Sequence, residues 1–175
     1  MRRGMLPDVL GIAMRFNTKA DADFAVQEGT QDLLMVTSRT LLTLPIAALR
    51  TNHRDFLDNL YYGMGCFELA DQTRMQLRLT PLRQTGSTGE DRYAMIRDAV
   101  ANDEVAFLLE VGSGPQPDPW MPLVRIRLTE EAKVDDRKMT FWPFNTGAGI
   151  KPQGFVQYMR PVAYLSSQWA RLSMG

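Results

Sequence analysis

The sequence predicts an α+β protein built on an antiparallel sheet that curls towards a β-barrel, with flanking helices and a C-terminal helix. Three observations carry that expectation. Several segments alternate apolar and polar residues with a period of two, the mark of strands with one wet or lined face. Helical spacing is confined to the gaps between them and to the tail. The resulting order (strand, strand, helix, strand, helix, strand, strand, strand, helix) lacks the regular alternation of a parallel sheet.

The elements follow in order. In Leu10–Phe16, Leu10, Ile12, Met14 and Phe16 alternate with Gly11, Ala13 and Arg15. Asp32–Ser38 (DLLMVTS) is a weaker strand. Asn52–Tyr62 opens on a cap-like Asn and spaces Phe56, Leu57, Leu60 and Tyr61 at helical intervals. In Arg74–Thr80 the apolar set is Met75, Leu77 and Leu79. Glu90–Asn102 reads as a helix with Tyr93, Ile96 and Val100 on one face. Val105–Val111 and Val124–Thr129 are strands, with inner sets Val105, Phe107, Leu109, Val111 and Val124, Ile126, Leu128. Met139–Phe144 (MTFWPF) is a weaker strand, and Gln153–Leu172 is the third helix. The turn-rich stretches Gln84–Asp91 and Gly112–Pro119 read as long loops, because neither flank carries a core of its own. The chain, 1–175, is therefore expected to be a single domain.

Composition removes several function classes. Lys+Arg and Asp+Glu are both 20, so the net charge is zero, which disfavours a general electrostatic grip on nucleic acid or anionic membrane. The lone Cys66 closes no internal disulfide and builds no cysteine-based metal site. The lone His53 cannot supply the histidine pairs of a zinc hydrolase. No apolar run reaches the ~18 residues of a membrane span. The opening MRRGMLPDVLGIAM carries Pro7 and Asp8 and does not read as a signal peptide, so the expected compartment is a reducing cytoplasm.

The tail holds the most pointed chemistry. At about 100° per residue, Arg160, Tyr164, Gln168 and Arg171 fall near about 0°, 40°, 80° and 20° on a helix, one narrow stripe. A guanidinium one turn away favours phenolate over phenol. A phenolate is a hard ligand suited to ferric iron, and a further arginine along the stripe suits a bidentate carboxylate contact. The plainer alternative is a solvated arginine beside an amphipathic core tyrosine, and Pro161 loosens the geometry of the Arg160–Tyr164 pair.

Other features read more simply. Cys66 in GMGCFEL is a candidate thiolate ligand, more commonly a buried structural thiol. Gly63-x-Gly65 and Gly147-x-Gly149 lack the residues a phosphate cradle needs and read as turns. Arg74, Arg78, Arg125 and Arg127 line the polar faces of two strands, either around a ligand mouth or, more simply, facing solvent. His53, in the polar run TNHRD, reads as a surface or capping histidine.

The tail also resembles the catalase superfamily, in particular the small catalase-related haem peroxidases, or minicatalases. The residues that carry the resemblance are Phe141-Trp142-Pro143, then Gly149-Ile150-Lys151-Pro152, then Arg160…Tyr164 with Ser167 and Arg171. Upstream, Gly11–Asn17, Gln31–Thr37, Arg54–Leu60, Asp91–Asn102 and Pro119-Trp120 are similar with lower specificity. The resemblance implies a catalase-like, incomplete barrel and a ferric haem cofactor. It implies Tyr164 as axial ligand of the iron, Arg160 as the group that keeps it phenolate, Arg171 as a propionate anchor and Phe56 as a ring packed on the distal side. The catalytic pair would be Arg160 and Tyr164. The implied activity is peroxide-dependent oxidation or isomerisation of a small organic substrate.

Two departures weaken the implied catalase turnover. The family's distal histidine lies well before the region matched by Gly11, and its distal asparagine falls near Val36, which neither donates nor accepts. A missing first strand would leave an open sheet edge, so a homo-oligomer is expected. The alternatives are a cofactor-free descendant acting as an interaction module, and a barrel that carries a small apolar ligand.

Overall fold

The computed structural model describes residues 9–19, 24–82, 92–132, 134 and 139–154. Among them, eight strands form one antiparallel, strongly curled half-barrel sheet, accompanied by two helices. The α+β expectation thus holds at the level of architecture.

Strand β1 (Gly11–Phe16) pairs along its length with β2 (Gln31–Val36), from Gly11↔Val36 to Phe16↔Gln31. A short 3-10 turn, Leu41–Thr43, leads into helix α1 (Leu44–Arg50). Strands β3 (Tyr61–Tyr62) and β4 (Cys66–Leu69) lie end to end along one side of the ten-residue β5 (Gln72–Pro81). Helix α2 (Arg92–Ala101) follows, then β6 (Ala106–Ser113) on the other side of β5, and β7 (Met121–Arg127) beyond it. Strand β8 (Ile150–Gln153) returns to pair with β4. Among the described residues, β1, β7 and β8 each pair with a single neighbour and so are the edges of the sheet. On β7, Pro122 and Leu123 mark a bulge, where Leu109↔Val124 is followed by Glu110↔Pro122.

Alternation places the core. Met75, Leu77 and Leu79 of β5 and Phe107, Leu109 and Val111 of β6 are buried on the inner face, with Leu33, Met35, Leu57 and Tyr61. Ile12, Met14 and Phe16 of β1 pack against this cluster, and α2 adds Ala99 and Val100. The inner set of β7 departs from expectation at its start. Val124 pairs with buried Leu109 yet is itself exposed, because nothing on the far side of this edge strand covers it among the described residues. No described helix is long and apolar enough to cross a membrane.

Three element expectations need correction, and one helix goes beyond them. Asn52–Tyr62 is not a helix but a run of turns ending in β3. Its polar side chains capture the backbone instead. Asn59 Oδ1 accepts from Asn52 N at 2.9 Å, Asn59 Nδ2 donates to Asn52 O and Asp55 O, and Asp55 Oδ1 accepts from Leu57 N at 2.8 Å. Met139–Phe144 is not a strand, since the Trp142 N–H donates to the Asp32 carboxylate rather than to a ladder. The tail helix does not begin at Gln153, which ends β8, and the rest of that expected helix lies outside the described residues. Helix α1 was not expected at all. Pro45, near its start, suits a first turn, but its leucines and isoleucine have no polar counterface to reveal a helical period.

Candidate functional site

The outer face of the sheet carries two ion pairs, each roofed by an aromatic ring. Arg15 of β1 and Asp32 of β2 are cross-strand partners, and alternation turns both away from the core. Arg15 Nε and Nη2 donate to the two oxygens of Asp32, each at 2.7 Å. Asp32 also accepts from Trp142 N and Asn145 Nδ2, both at 2.8 Å. The remaining Arg15 donors reach Phe24 O and Thr140 O, and Phe141 lies 5.0 Å from the guanidinium. Both Asp32 oxygens and four of the five Arg15 N–H groups are engaged within the protein. The arrangement is a clamp that fastens the chain entering β8 to the first two strands.

The second pair is Arg78 of β5 with Glu110 of β6, again cross-strand partners. Arg78 Nε and Nη2 donate to Glu110 at 2.7 and 2.9 Å, and the Thr80 hydroxyl donates to the same carboxylate. Hydrogen bonding from Arg78 chiefly, helped by Thr80 and opposed by burial, holds the Glu110 carboxyl below its usual value. Trp120 stacks 4.4 Å from the Arg78 guanidinium, with Arg39 on the same ring at 5.9 Å and Tyr62 beside it. Of the four strand arginines, Arg78 is thus a packed and paired group. Arg74 and Arg125 face solvent, and Arg127 pairs with the exposed Asp103.

A concave site lies at one end of the sheet, where α2 passes the chain leaving β7. It is a groove of about 620 Å³ with Tyr93, Ile96, Val100 and Leu128 as its apolar walls. Arg97, Asp98, Glu130 and Glu131 supply its polar lining. That volume lies in the range of small-molecule sites. The helical face Tyr93, Ile96, Val100 was legible in the sequence. Its partner Leu128 was legible too, as the last inner residue of the expected strand Val124–Thr129, although β7 itself ends at Arg127. Their convergence depends on how α2 crosses the sheet, and that has no local signal.

The sequence-predicted site residues are distributed as follows. Arg160, Tyr164 and Arg171, with Ser167 and Gln168, lie outside the described residues. Phe56 is half-buried next to the groove, with the Tyr93 ring tilted against it at 5.6 Å and the Arg92 guanidinium over it at 5.3 Å. Its ring is thus engaged by protein groups. Val36 ends β2, and Cys66 is half-buried at the start of β4 rather than deep in the core. His53 Nε2 lies 3.0 Å from Ala48 O at the end of α1, a capping contact as expected. Tyr61, fully buried, donates to Phe56 O at 2.7 Å, and burial with the nearby Asp55 carboxylate raises its phenol well above the ordinary range. Among the described residues no group of three or more His, Cys, Asp or Glu could hold a metal ion.

Comparison with protein-family models, with curated proteins and with solved structures found no match to the chain.

Proposed function

We propose that the chain is a catalase-related haem protein that oxidises or isomerises a small organic substrate at the expense of a peroxide. The single observation that carries this reading is the tail pattern Arg160…Tyr164…Arg171, following Phe141-Trp142-Pro143 and Gly149-Ile150. The curled antiparallel sheet is compatible with it. In this reading Tyr164 binds iron as phenolate, Arg160 keeps it ionised, and Arg171 holds a propionate. Bound ferric haem supplies the redox chemistry. Phe56 enters only by turning its ring away from Arg92 and Tyr93. Catalase turnover is weak in this reading, because the one imidazole, His53, is tied to the end of α1. The proposed setting is the cytoplasm, and two copies pair through the open edge of β1.

The groove favours a second reading, a carrier of a small apolar ligand. One pair of titrations separates the two. Haem uptake with a Soret band that moves in Tyr164→Phe supports the first. No haem uptake, together with saturable binding of an apolar fluorescent probe that Ile96→Trp blocks, replaces it with the second. Neither kind of binding leaves the cofactor-free interaction module.

A further inference from the structure

Helix α1 contributes no buried side chain to the protein. Leu42, just before it, is 91% exposed, and Ile46 and Leu49 on it are 52% and 75% exposed. At about 100° per residue these three fall within roughly 60° of one another, with Pro45 on one margin and Arg50 on the other. Leu44, Ala47 and Ala48 on the opposite side are half-buried and seat the helix. Single exposed leucines are ordinary; three aliphatic side chains along one exposed stripe are not.

No carboxylate lies on α1 or between it and Asp32, and the exposed Asp58 follows only four residues beyond Arg54. Between Asp32 and Asp55 the sequence has no acidic residue, while Arg39, Arg50, His53 and Arg54 all fall within that window. Arg39 is taken up at Trp120. Arg50 and Arg54 are exposed and meet no carboxylate among the described residues. The balanced charge of the whole chain conceals this local cationic margin.

We propose that the stripe is a docking surface for an anionic phospholipid bilayer. Leu42, Ile46 and Leu49 enter the acyl boundary, and Arg50 and Arg54 lie at the level of the phosphates. A second copy is a poorer occupant, since stripe against stripe brings two cationic margins together. Three aliphatic side chains and two cations give a reversible contact, weakened by salt. This inference does not depend on haem or on the groove.

The test is co-sedimentation of the full chain with phosphatidylcholine vesicles and with vesicles in which roughly a third of the lipid is phosphatidylserine. The chain should pellet with the anionic vesicles and remain in solution with the neutral ones. Leu42→Ser and Leu49→Ser should each lower the bound fraction roughly tenfold, and Arg50→Glu should do so as well. All three positions are exposed, so thermal melts should match the wild type. Failure to pellet with anionic vesicles overturns the proposal, as does pelleting unchanged in Leu49→Ser and Arg50→Glu. A lipid-independent dimer that Leu49→Ser dissociates also overturns it and assigns the stripe to a second copy.

Discussion

Replacing Asp32 with alanine tests the clamp on the outer face directly. The Asp32 side chain is 0% exposed and that of Arg15 8%, so the pair is buried. Removing the carboxylate strands the Arg15 guanidinium and leaves the Trp142 N–H and the Asn145 amide without their acceptor. Breaking a buried ion pair from one side costs about 3–5 kcal/mol. The lower end applies here, about 3 kcal/mol, because Arg15 still donates to Phe24 O and Thr140 O. Against a total of about 5–15 kcal/mol, that is a large share of the stability. Urea unfolding followed by tryptophan fluorescence measures it, and Tm should drop by roughly 6–12 °C for a domain of this size. The double variant Arg15→Met/Asp32→Leu should recover only part of the loss, since it leaves no unpaired charge but still leaves the Trp142 N–H and the Asn145 amide without their acceptor. An Asp32→Ala loss below about 1 kcal/mol, the value of a surface pair, would refute the reasoning.

Three further outcomes follow from the same structure. A Cβ on Gly147 would come within 2.1 Å of the Gly29 backbone, whereas one on Gly149 meets nothing within 4 Å and is disfavoured only by its φ of +84°. Gly147→Ala should therefore cost at least ~2 kcal/mol and more than Gly149→Ala, as read from urea midpoints. Glu110, lowered in the folded state, contributes stability above its unfolded value near 4.5 that is lost as pH falls through the folded one. Midpoints taken from neutral pH downwards should fall below about pH 4.5, and Glu110→Gln should flatten that fall. Leu79→Ala, at a position 0% exposed and flanked by Tyr61 of β3 and Leu109 of β6, should cost about 2–5 kcal/mol in the same assay.

The parts most legible in the sequence are those where side-chain alternation and burial agree. β5 and β6 were readable for that reason, and Met75, Leu77 and Leu79 occupy the inner face as their spacing requires. β1, β2, β7 and α2 were readable from their apolar spacing, although burial follows that spacing less closely in them. Short elements escaped. β3 has two residues and β8 four, too few to show a period, and β8 contains Pro152. Asn52–Tyr62 carried helical spacing, yet Asn52, Asp55 and Asn59 bond the backbone locally and override it. The arginines of β5 looked like a solvated row. Trp120 changes that for Arg78, by folding over it from a loop far along the chain. Of the implied haem residues, only Phe56 falls within the described part, and its neighbours Arg92 and Tyr93 arrive from α2, a contact no sequence spacing encodes.

The rims of the sheet are unequal. β7 carries Pro122, which has no N–H to offer, and the extra residue Leu123, which throws a neighbour out of step. β1 carries neither safeguard. Of these rims β7 is therefore the one least able to template a further strand, whatever approaches it.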